Sequence, residues 1–426
     1  MAKAAHVDSY YAASANSIPD YPVLEGAHTA DVCVVGAGLT GSSCALELAK
    51  RGYKVIVLEA NRVAWGASGR SGGQMIFGYA CGEDRLEKWL GGDDARKVWD
   101  MSLEAVDLIR ERVKEHGIEC DLATGHAHTA LKSRQMRALE QWHDFLTKRY
   151  GYSSVELWDR RRTRAAVASE RYVGALYDSN SGHLHPLNYT LGLVKAAAGA
   201  GAEFREGSRV TAITPGSEPV VKTERGEVRC RFVALGGNAY LGSLDPRLAA
   251  RIMPVGTYIG ATEPLGAERA RSLIRDNIAV ADTNFVLDYF RLSADHRMLF
   301  GGRVSYSTVV PPNLAVAMKR RMLTVFPQLE DARIDYAWGG YVGITRNRAP
   351  DFGRVDDNIF YAQGFSGHGI ALTGLAGKLM AEAVAGTAER FDIFSRIPHA
   401  SFPGGALLRT PALVLAMAWY RLRDLI

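Results

Sequence analysis

Four separated segments of the chain share one pattern: a short apolar run, bounded by polar residues, leads into glycine. In the first, Asp31-Val-Cys-Val-Val-Gly36 reads as a buried parallel strand, because an unbroken apolar run suits a strand covered on both faces. Gly36-Ala-Gly38-Leu39-Thr40-Gly41 follows. Leu46, Leu48 and Ala49 then continue to a stop at Arg51-Gly52, which predicts a helix over 39–50. In the second, the strand Lys54-Val-Ile-Val-Leu-Glu59 ends on an acid, and Ala60 and the loop Gly66-Ala-Ser68-Gly69-Arg70-Ser71-Gly-Gly73-Gln74 come after it. The third is Arg231-Phe-Val-Ala-Leu-Gly236-Gly237-Asn238. The fourth is Ile359-Phe-Tyr-Ala-Gln-Gly364-Phe-Ser366-Gly367-His368-Gly369, with a helical run from Ile370 to Val384.

Between these segments the period changes. Residues 83–115 and 133–150 carry charged amphipathic helical patterns, with Leu103, Val106, Leu108 and Ile109 in one and Met136, Leu139 and Trp142 in the other. Residues 250–310 mix short β-branched and aromatic runs with Gly and Pro, which predicts an antiparallel sheet. The spacing implies one nucleotide domain interrupted by insertions.

Each glycine of 36–41 has a task in a dinucleotide cradle. Gly36 permits a sharp turn, Gly38 lets a pyrophosphate approach the backbone, and Gly41 lets the helix pack close to the strand. The helix start offers unpaired N–H groups to the phosphates. Glu59 can accept hydrogen bonds from both ribose hydroxyls, and its charge disfavours the 2′-phosphate of NADP. G-x-G-x-x-G alone also occurs in plain glycine-rich turns; here strand, glycines, helix, strand and acid fall in order. The loop 66–74 has no use in a plain NAD fold, whereas flavoproteins run such a loop beneath the pyrophosphate and along the isoalloxazine edge. A helix starting within Ser366–Ile370 can aim its N–H groups at the charge that gathers near flavin N1 on reduction. His368 reads either as a cation beside the flavin or as a turn histidine.

Composition narrows the field. The chain has 426 residues, 47% hydrophobic and 23% charged, a length of roughly two or three folded domains. Its 44 glycines exceed the usual share of ~7% and lie in clusters, as ligand-hugging turns do. A net charge of +5 is too small to argue for nucleic acid, and the run Arg160-Arg161-Arg162 reads as a solvated helix start. The five cysteines, 33, 44, 81, 120 and 230, are odd in number and lack C-x-x-C spacing. Neither a disulfide framework nor a metal site is expected, and Cys33 and Cys44 read as small buried side chains. His183 and His185 precede Pro186 as in a helix's first turn, with no third metal ligand beside them. The polar start lacks a signal-peptide core and no stretch reaches ~18 apolar residues, so the chain reads as soluble and cytoplasmic.

These segments resemble the D-amino-acid-oxidase-like family of FAD-dependent amine oxidoreductases, which includes sarcosine and glycine oxidases. The likeness runs through Ser9-Tyr-Tyr-Ala-Ala-Ser-Ala-Asn16, Asp31–Gly36, Gly66–Arg70, Gly182-His-Leu-His-Pro-Leu-Asn188, Leu287-Asp-Tyr-Phe-Arg-Leu292 and Gly364–Gly369. Phe402-Pro-Gly-Gly405 and Leu422-Arg-Asp424 extend it to the C-terminus. The resemblance implies an α/β (α+β) fold. A Rossmann-like FAD-binding domain of the glutathione-reductase type would span 1–80, 183–242 and 336–400. An inserted antiparallel-sheet substrate domain would span 81–182 and 243–335, with a C-terminal helical tail over 401–426. FAD would be held by the glycine segments and Glu59, with Val210 beside it.

Two departures from the family pattern bear on chemistry. Members with an oxygen-activating lysine carry it just after the last glycine motif, where Ile370 and Ala371 stand here. Relatives that oxidise α-amino acids have an arginine shortly after a tryptophan-glycine element, and relatives with covalent flavin have a cysteine there. Trp338-Gly-Gly340 is followed instead by Tyr341 and Val342, which implies non-covalent FAD and no carboxylate clamp near the reacting carbon.

A primary amine at the end of a long chain suits this arrangement. The narrower likeness of the terminal segments implies oxidation of a gamma-glutamylated polyamine to the aldehyde, with release of ammonia. Oxygen would take the electrons and give peroxide. Tyr258, Tyr289 and Phe290 are candidate walls for the aliphatic chain and its ammonium. Arg291 and Arg303 are candidates for a distant carboxylate; strand packing or a surface ion pair competes with each. Rival readings are a pipecolate- or sarcosine-like imino-acid oxidase, a quinone-linked dehydrogenase resting on a membrane through the apolar tail 407–420, and a flavin-holding subunit without turnover. Homo-oligomerisation stays open.

Overall fold

The computed structural model describes residues 4–302 and 312–404. Arg303 and the apolar tail 407–420 lie outside them. The described residues form three sheets.

The central sheet is six-stranded, in the order Asp351–Asp356, Ile359–Gln363, Phe232–Leu235, Val32–Val35, Val55–Leu58, Glu203–Arg205. All neighbours run parallel except the first pair. Three of its inner strands, Phe232–Leu235, Val32–Val35 and Val55–Leu58, are apolar throughout because both faces are covered. Val32, Val34, Val55 and Val57 face a layer of helices. Cys33, Val35, Ile56 and Leu58 face the small sheet formed by Gly26–Thr29, Gly226–Arg229, Val220–Thr223 and Val210–Thr214. Alternate side chains of one strand thus feed two cores. All five cysteines are buried and unpaired.

The helix layer is unusually close. Helix Leu39–Lys50 lies against helix Gly369–Val384, and a Cβ at Gly377 would fall 2.4 Å from Thr40 O. Ser43 Oγ donates to Gly374 O across the same seam at 2.5 Å. Leu46 and Leu48 of the first helix are fully buried in the surrounding core, which stabilises it by roughly 1.5–3 kcal/mol each.

The third sheet has nine strands and runs from Ile334–Thr345 through Ile252–Thr262, Met298–Gly302, Tyr289–Leu292 and Ala279–Asp282 to Ala123–Ala130, Gly174–His183 and Gln74–Met75, with Val155–Trp158 also paired to Gly174–His183. Of the antiparallel sheet expected over 250–310, the described part, 252–302, is present, but its Ala279–Asp282 strand pairs in parallel with Ala123–Ala130, which the sequence pattern did not expose. The amphipathic stretch 83–115 is two helices, Glu83–Leu90 and Gly92–His116, because Gly91 takes φ +79° between them. Helix Ser133–Tyr150 matches its periodicity. Arg160–Ala166 is a short helix capped by Asp159, with the arginines at its exposed start.

Among the described residues, no helix is long and apolar enough to cross a membrane.

Candidate active site

The four glycine segments converge at the carboxyl ends of the central strands. Gly36 leaves Val32–Val35 with φ +99° and donates its N–H to Leu58 O at 2.8 Å. A Cβ at Gly41 would fall 1.8 Å from Gly36 O, so the helix can start here only on glycine. Gly38 caps that helix, and a Cβ there would meet Ser68 Oγ at 2.8 Å. Ser68 Oγ accepts Leu39 N–H at 2.9 Å, which pins the second glycine loop to the first; Thr40 is buried beside them.

The Glu59 carboxylate accepts N–H from Ala37 at 2.9 Å and from Asn61 at 3.0 Å. Burial pushes its pKa up, and the backbone N–H groups of Ala37, Asn61 and Ala60 pull the other way. Its carbonyl accepts Ser208 N–H at 2.8 Å, which brings the chain leading to Val210 to this corner. Val210 packs in the apolar layer under the small sheet.

In the second loop a Cβ at Gly69 would fall 2.3 Å from Ala64 O. The Arg70 guanidinium lies 3.9 Å from the Trp65 ring centroid and donates from Nε to Trp65 O at 2.7 Å. Arg70 Nη2 and Ser71 Oγ are buried without a partner. Gly73 accepts Leu184 N–H at 2.8 Å, and Gln74 begins the edge strand of the large sheet. The third and fourth segments are joined directly. Gly236 donates to Val35 O at 2.9 Å, and Asn238, after Gly237, accepts Gly364 N–H on Oδ1 at 2.9 Å. Ser366 donates its N–H to Gly343 O at 3.0 Å, while a Cβ at Gly367 would meet nothing within 4 Å. His368 caps the helix that starts at Gly369, one turn of which buries Ile370. Burial, then the charges of His128 and Arg348, hold the His368 imidazole down to about 3. It is therefore neutral at physiological pH, which favours the turn histidine of its two readings over the cation.

The substrate candidates divide between the two faces of the large sheet. Tyr258 and Phe290 pack with Phe300, Met318 and Met322 beneath helix Leu314–Leu323. Tyr289 and Arg291 alternate with Phe290 and point the other way, toward the glycine loops. A Cβ at Gly72 or Gly301 would strike the Tyr289 ring, and the Tyr289 hydroxyl lies 3.2 Å from Thr257 Oγ1. Tyr341 is half-buried, 5.6 Å from the Tyr240 ring, and its N–H donates to Tyr240 OH at 3.1 Å.

Arg291 is buried and spends every donor inside the protein. Nε donates to Gly72 O (2.8 Å), Nη1 to Leu292 O (3.1 Å) and His183 Nδ1 (3.5 Å), and Nη2 to Tyr11 OH (3.1 Å) and Leu184 O (2.9 Å). Nothing remains for a substrate carboxylate, so Arg291 is a clamp between chain segments, the packing role that competes with carboxylate binding in its sequence reading. His183 donates from Nε2 to Asn277 O at 2.7 Å, and His185 caps helix Pro186–Gly199 by accepting Asn188 N–H at 3.1 Å.

Sequence reasoning passed over His126 and His128, on strand Ala123–Ala130. Their partner Ala127 faces the helix Leu314–Leu323 side, so both rings turn toward Gln74 and His368. The signal was present as two histidines at strand spacing, but in a short polar stretch that reads weakly as a strand.

Comparison with known proteins agrees with this geometry. Residues 31–383 match the family model described as FAD dependent oxidoreductase (DAO). The chain is 46% identical over 420 residues to the gamma-glutamylputrescine oxidoreductase of Escherichia coli, covering 98% of each. It is 45% identical over 424 residues to a probable oxidoreductase, OrdL, of Haemophilus influenzae, covering 98% of this chain and 97% of that one.

The chain belongs to this family of FAD-dependent oxidoreductases.

Its fold is that of glycine oxidase from Geobacillus kaustophilus, with a TM-score of 0.73 at 23% identity over 88% of this chain and all of that one. L-proline dehydrogenase from P. horikoshii aligns with a TM-score of 0.70 at 19% identity, over 86% of this chain and 96% of the other. The cofactor is FAD, and the residues present fit it. The glycine cradle 36–41 has no room for side chains, Glu59 stands at the end of the second strand, and the second and fourth glycine segments carry orphaned polar atoms on Arg70, Ser71 and His368.

Proposed function

We propose that this oxidoreductase removes two electrons from the primary amine of gamma-glutamylputrescine, giving after hydrolysis an aldehyde and ammonia, with oxygen taking the electrons as peroxide. The observation that carries the reading is full-length identity of 46% to a protein named for that substrate. The chain's own residues agree with it. Tyr341 and Val342 follow Trp338-Gly-Gly340, where an α-amino acid oxidase needs a carboxylate-binding arginine, and Arg291 is fully occupied.

FAD, when bound, supplies the two-electron acceptor. We assign its pyrophosphate to the N–H groups of Gly38–Gly41 and its ribose to Glu59. Its ring we assign to the loop Ser68–Gln74, to Gly237 and Asn238, and to the loop Gly364–Gly369 beneath helix Gly369–Val384. The FAD-binding part would be 1–80, 183–242 and 336–400, and the substrate part 81–182 and 243–335. Tyr289 and the open position at Gly367 would shape the amine's end of the pocket, where exclusion of water protects the neutral amine and its imine.

The reading is tested with the purified yellow protein by steady-state assay of gamma-glutamylputrescine, putrescine, sarcosine and pipecolate, with ammonia, aldehyde and peroxide measured together. Turnover of the gamma-glutamylated amine, with ammonia and aldehyde in equal amounts, is expected. Turnover confined to a cyclic or secondary amine contradicts it.

A further inference from the structure

At the start of helix Gly369–Val384 three histidines from two elements meet under the second glycine loop. His126 and His128 lie on strand Ala123–Ala130 with ring centroids 4.5 Å apart, and His368 caps the helix within electrostatic reach of both. The edge of the Trp142 ring closes the far side of His128 at 5.2 Å. His126 is completely buried.

The hydrogen bonds fix the protonation of His126. Gln74 Nε2 donates to two carbonyls, Val280 O at 3.0 Å and Phe290 O at 3.4 Å, which sets the orientation of its amide. Gln74 Oε1 therefore faces His126 Nε2, at 3.2 Å, and an acceptor there requires a proton on Nε2. Nδ1 of His126 is left as a lone pair, buried, with no donor. A buried acceptor without a donor is destabilising. It is the arrangement expected where a ligand N–H completes the bond.

The surroundings select the charge state of that ligand. Among the described residues no carboxylate acts on any of the three rings. The charged groups that do act are Arg348, on His368, and Arg291, which acts on His183 just behind His126. Burial and these neighbours hold His126 well below the usual histidine range, His128 down to about 4 and His368 to about 3. The Glu83 carboxylate lies beyond Trp142 and is engaged in accepting Trp142 Nε1–H at 3.3 Å. An alkylammonium placed here would be stripped of water among neutral rings, with the Arg348 guanidinium nearby and no carboxylate acting on the rings themselves.

Resting on the amine-oxidation reading above, we propose that His126, with His128 and His368, forms an uncharged cage that binds the substrate amine in its neutral form, His126 Nδ1 accepting one amine N–H. The proton that makes the substrate an ammonium in water is left in solvent on entry. The amine's own lone pair is then free, which is the form that can be oxidised. This assigns to the site a substrate-binding residue and a way of selecting the reactive protonation state without a catalytic base.

The test uses the intact holoenzyme reduced anaerobically, so that gamma-glutamylputrescine binds without turnover. Calorimetry at pH 7.5 in buffers of different ionisation enthalpy counts protons. One proton released per amine bound is expected, and the Kd should fall about tenfold per pH unit well below the amine's pKa of ~10. His126→Leu should bind the amine at least tenfold more weakly with its flavin content unchanged, and His126→Asn, which restores an acceptor, should recover part of the loss. Binding without proton release, or unchanged affinity in a flavin-replete His126→Leu, overturns the cage. Should that variant fail to fold, the proton count on the unmodified protein decides alone. If oxidised enzyme is reduced by the amine yet no proton is released, the cage falls and the function stands; if no primary amine reduces it, both fall.

Discussion

Asn238 and Gly364, far apart in sequence, are held together by one bond: Asn238 Oδ1 accepts the Gly364 N–H at 2.9 Å. Asn238 sits at φ +45°, a conformation asparagine tolerates better than most side chains. The bond ties the end of strand Phe232–Leu235 to the end of strand Ile359–Gln363 just before the loop into the helix. Asn238→Ala leaves a buried N–H unpaired, at a cost of ~1–3 kcal/mol. The variant should melt earlier and release FAD more readily, measured by differential scanning fluorimetry and by the flavin recovered after gel filtration.

Gly41→Ala is a stronger perturbation. Its Cβ would stand 1.8 Å from Gly36 O, and no rotamer relieves a backbone clash. Helix Leu39–Lys50 must move off the strand, and with it the seam against Gly377. The protein is expected to be recovered colourless or insoluble. A yellow, active Gly41→Ala would refute the assigned cradle.

Arg291 offers a test of clamp against ligand. Arg291→Lys keeps the charge but cannot reach Gly72 O, Leu292 O, Leu184 O and Tyr11 OH at once. It should destabilise the fold, each buried carbonyl left without a donor costing ~1–3 kcal/mol. A residue that only bound substrate carboxylate would instead raise KM and leave the urea midpoint unchanged.

The parts of this molecule legible in its sequence are those whose logic is local. Gly36 to Gly41, Glu59 and the helix 39–50 could be read because strand, turn and helix follow one another within a few residues. His185 before Pro186 was readable as a helix start for the same reason. What could not be read depends on contacts between distant segments. Arg291 looks like a strand arginine until Gly72, Leu184 and Tyr11 are brought to it, and Tyr258 looks like a pocket wall until strand alternation turns it toward Met318. His126 and His128 gained meaning only from Gln74 and His368, which arrive from other parts of the chain.

Stability should fall steeply in mild acid. His183 and His185 are buried and neutral, each held down to about 3 by burial first and by Arg291 second. Unfolded, both would titrate near 6.5. The folded state thus binds fewer protons below that pH, so their contribution is complete above about 6.5 and is lost as pH drops toward 3. Each should cost about 1.4 kcal/mol per pH unit within that window. Urea midpoints measured from pH 7 to 4.5 should decline monotonically, and His185→Asn, which retains a capping acceptor, should make the decline shallower.

The central claim is that the converging glycine segments present FAD to a primary alkylamine. Its most direct test is anaerobic mixing of the oxidised holoenzyme with gamma-glutamylputrescine in a stopped-flow spectrophotometer. Loss of the flavin absorbance band in a single two-electron step, faster than with putrescine or pipecolate, is the predicted result. A flavin band that stays intact with gamma-glutamylputrescine but bleaches with pipecolate would contradict it.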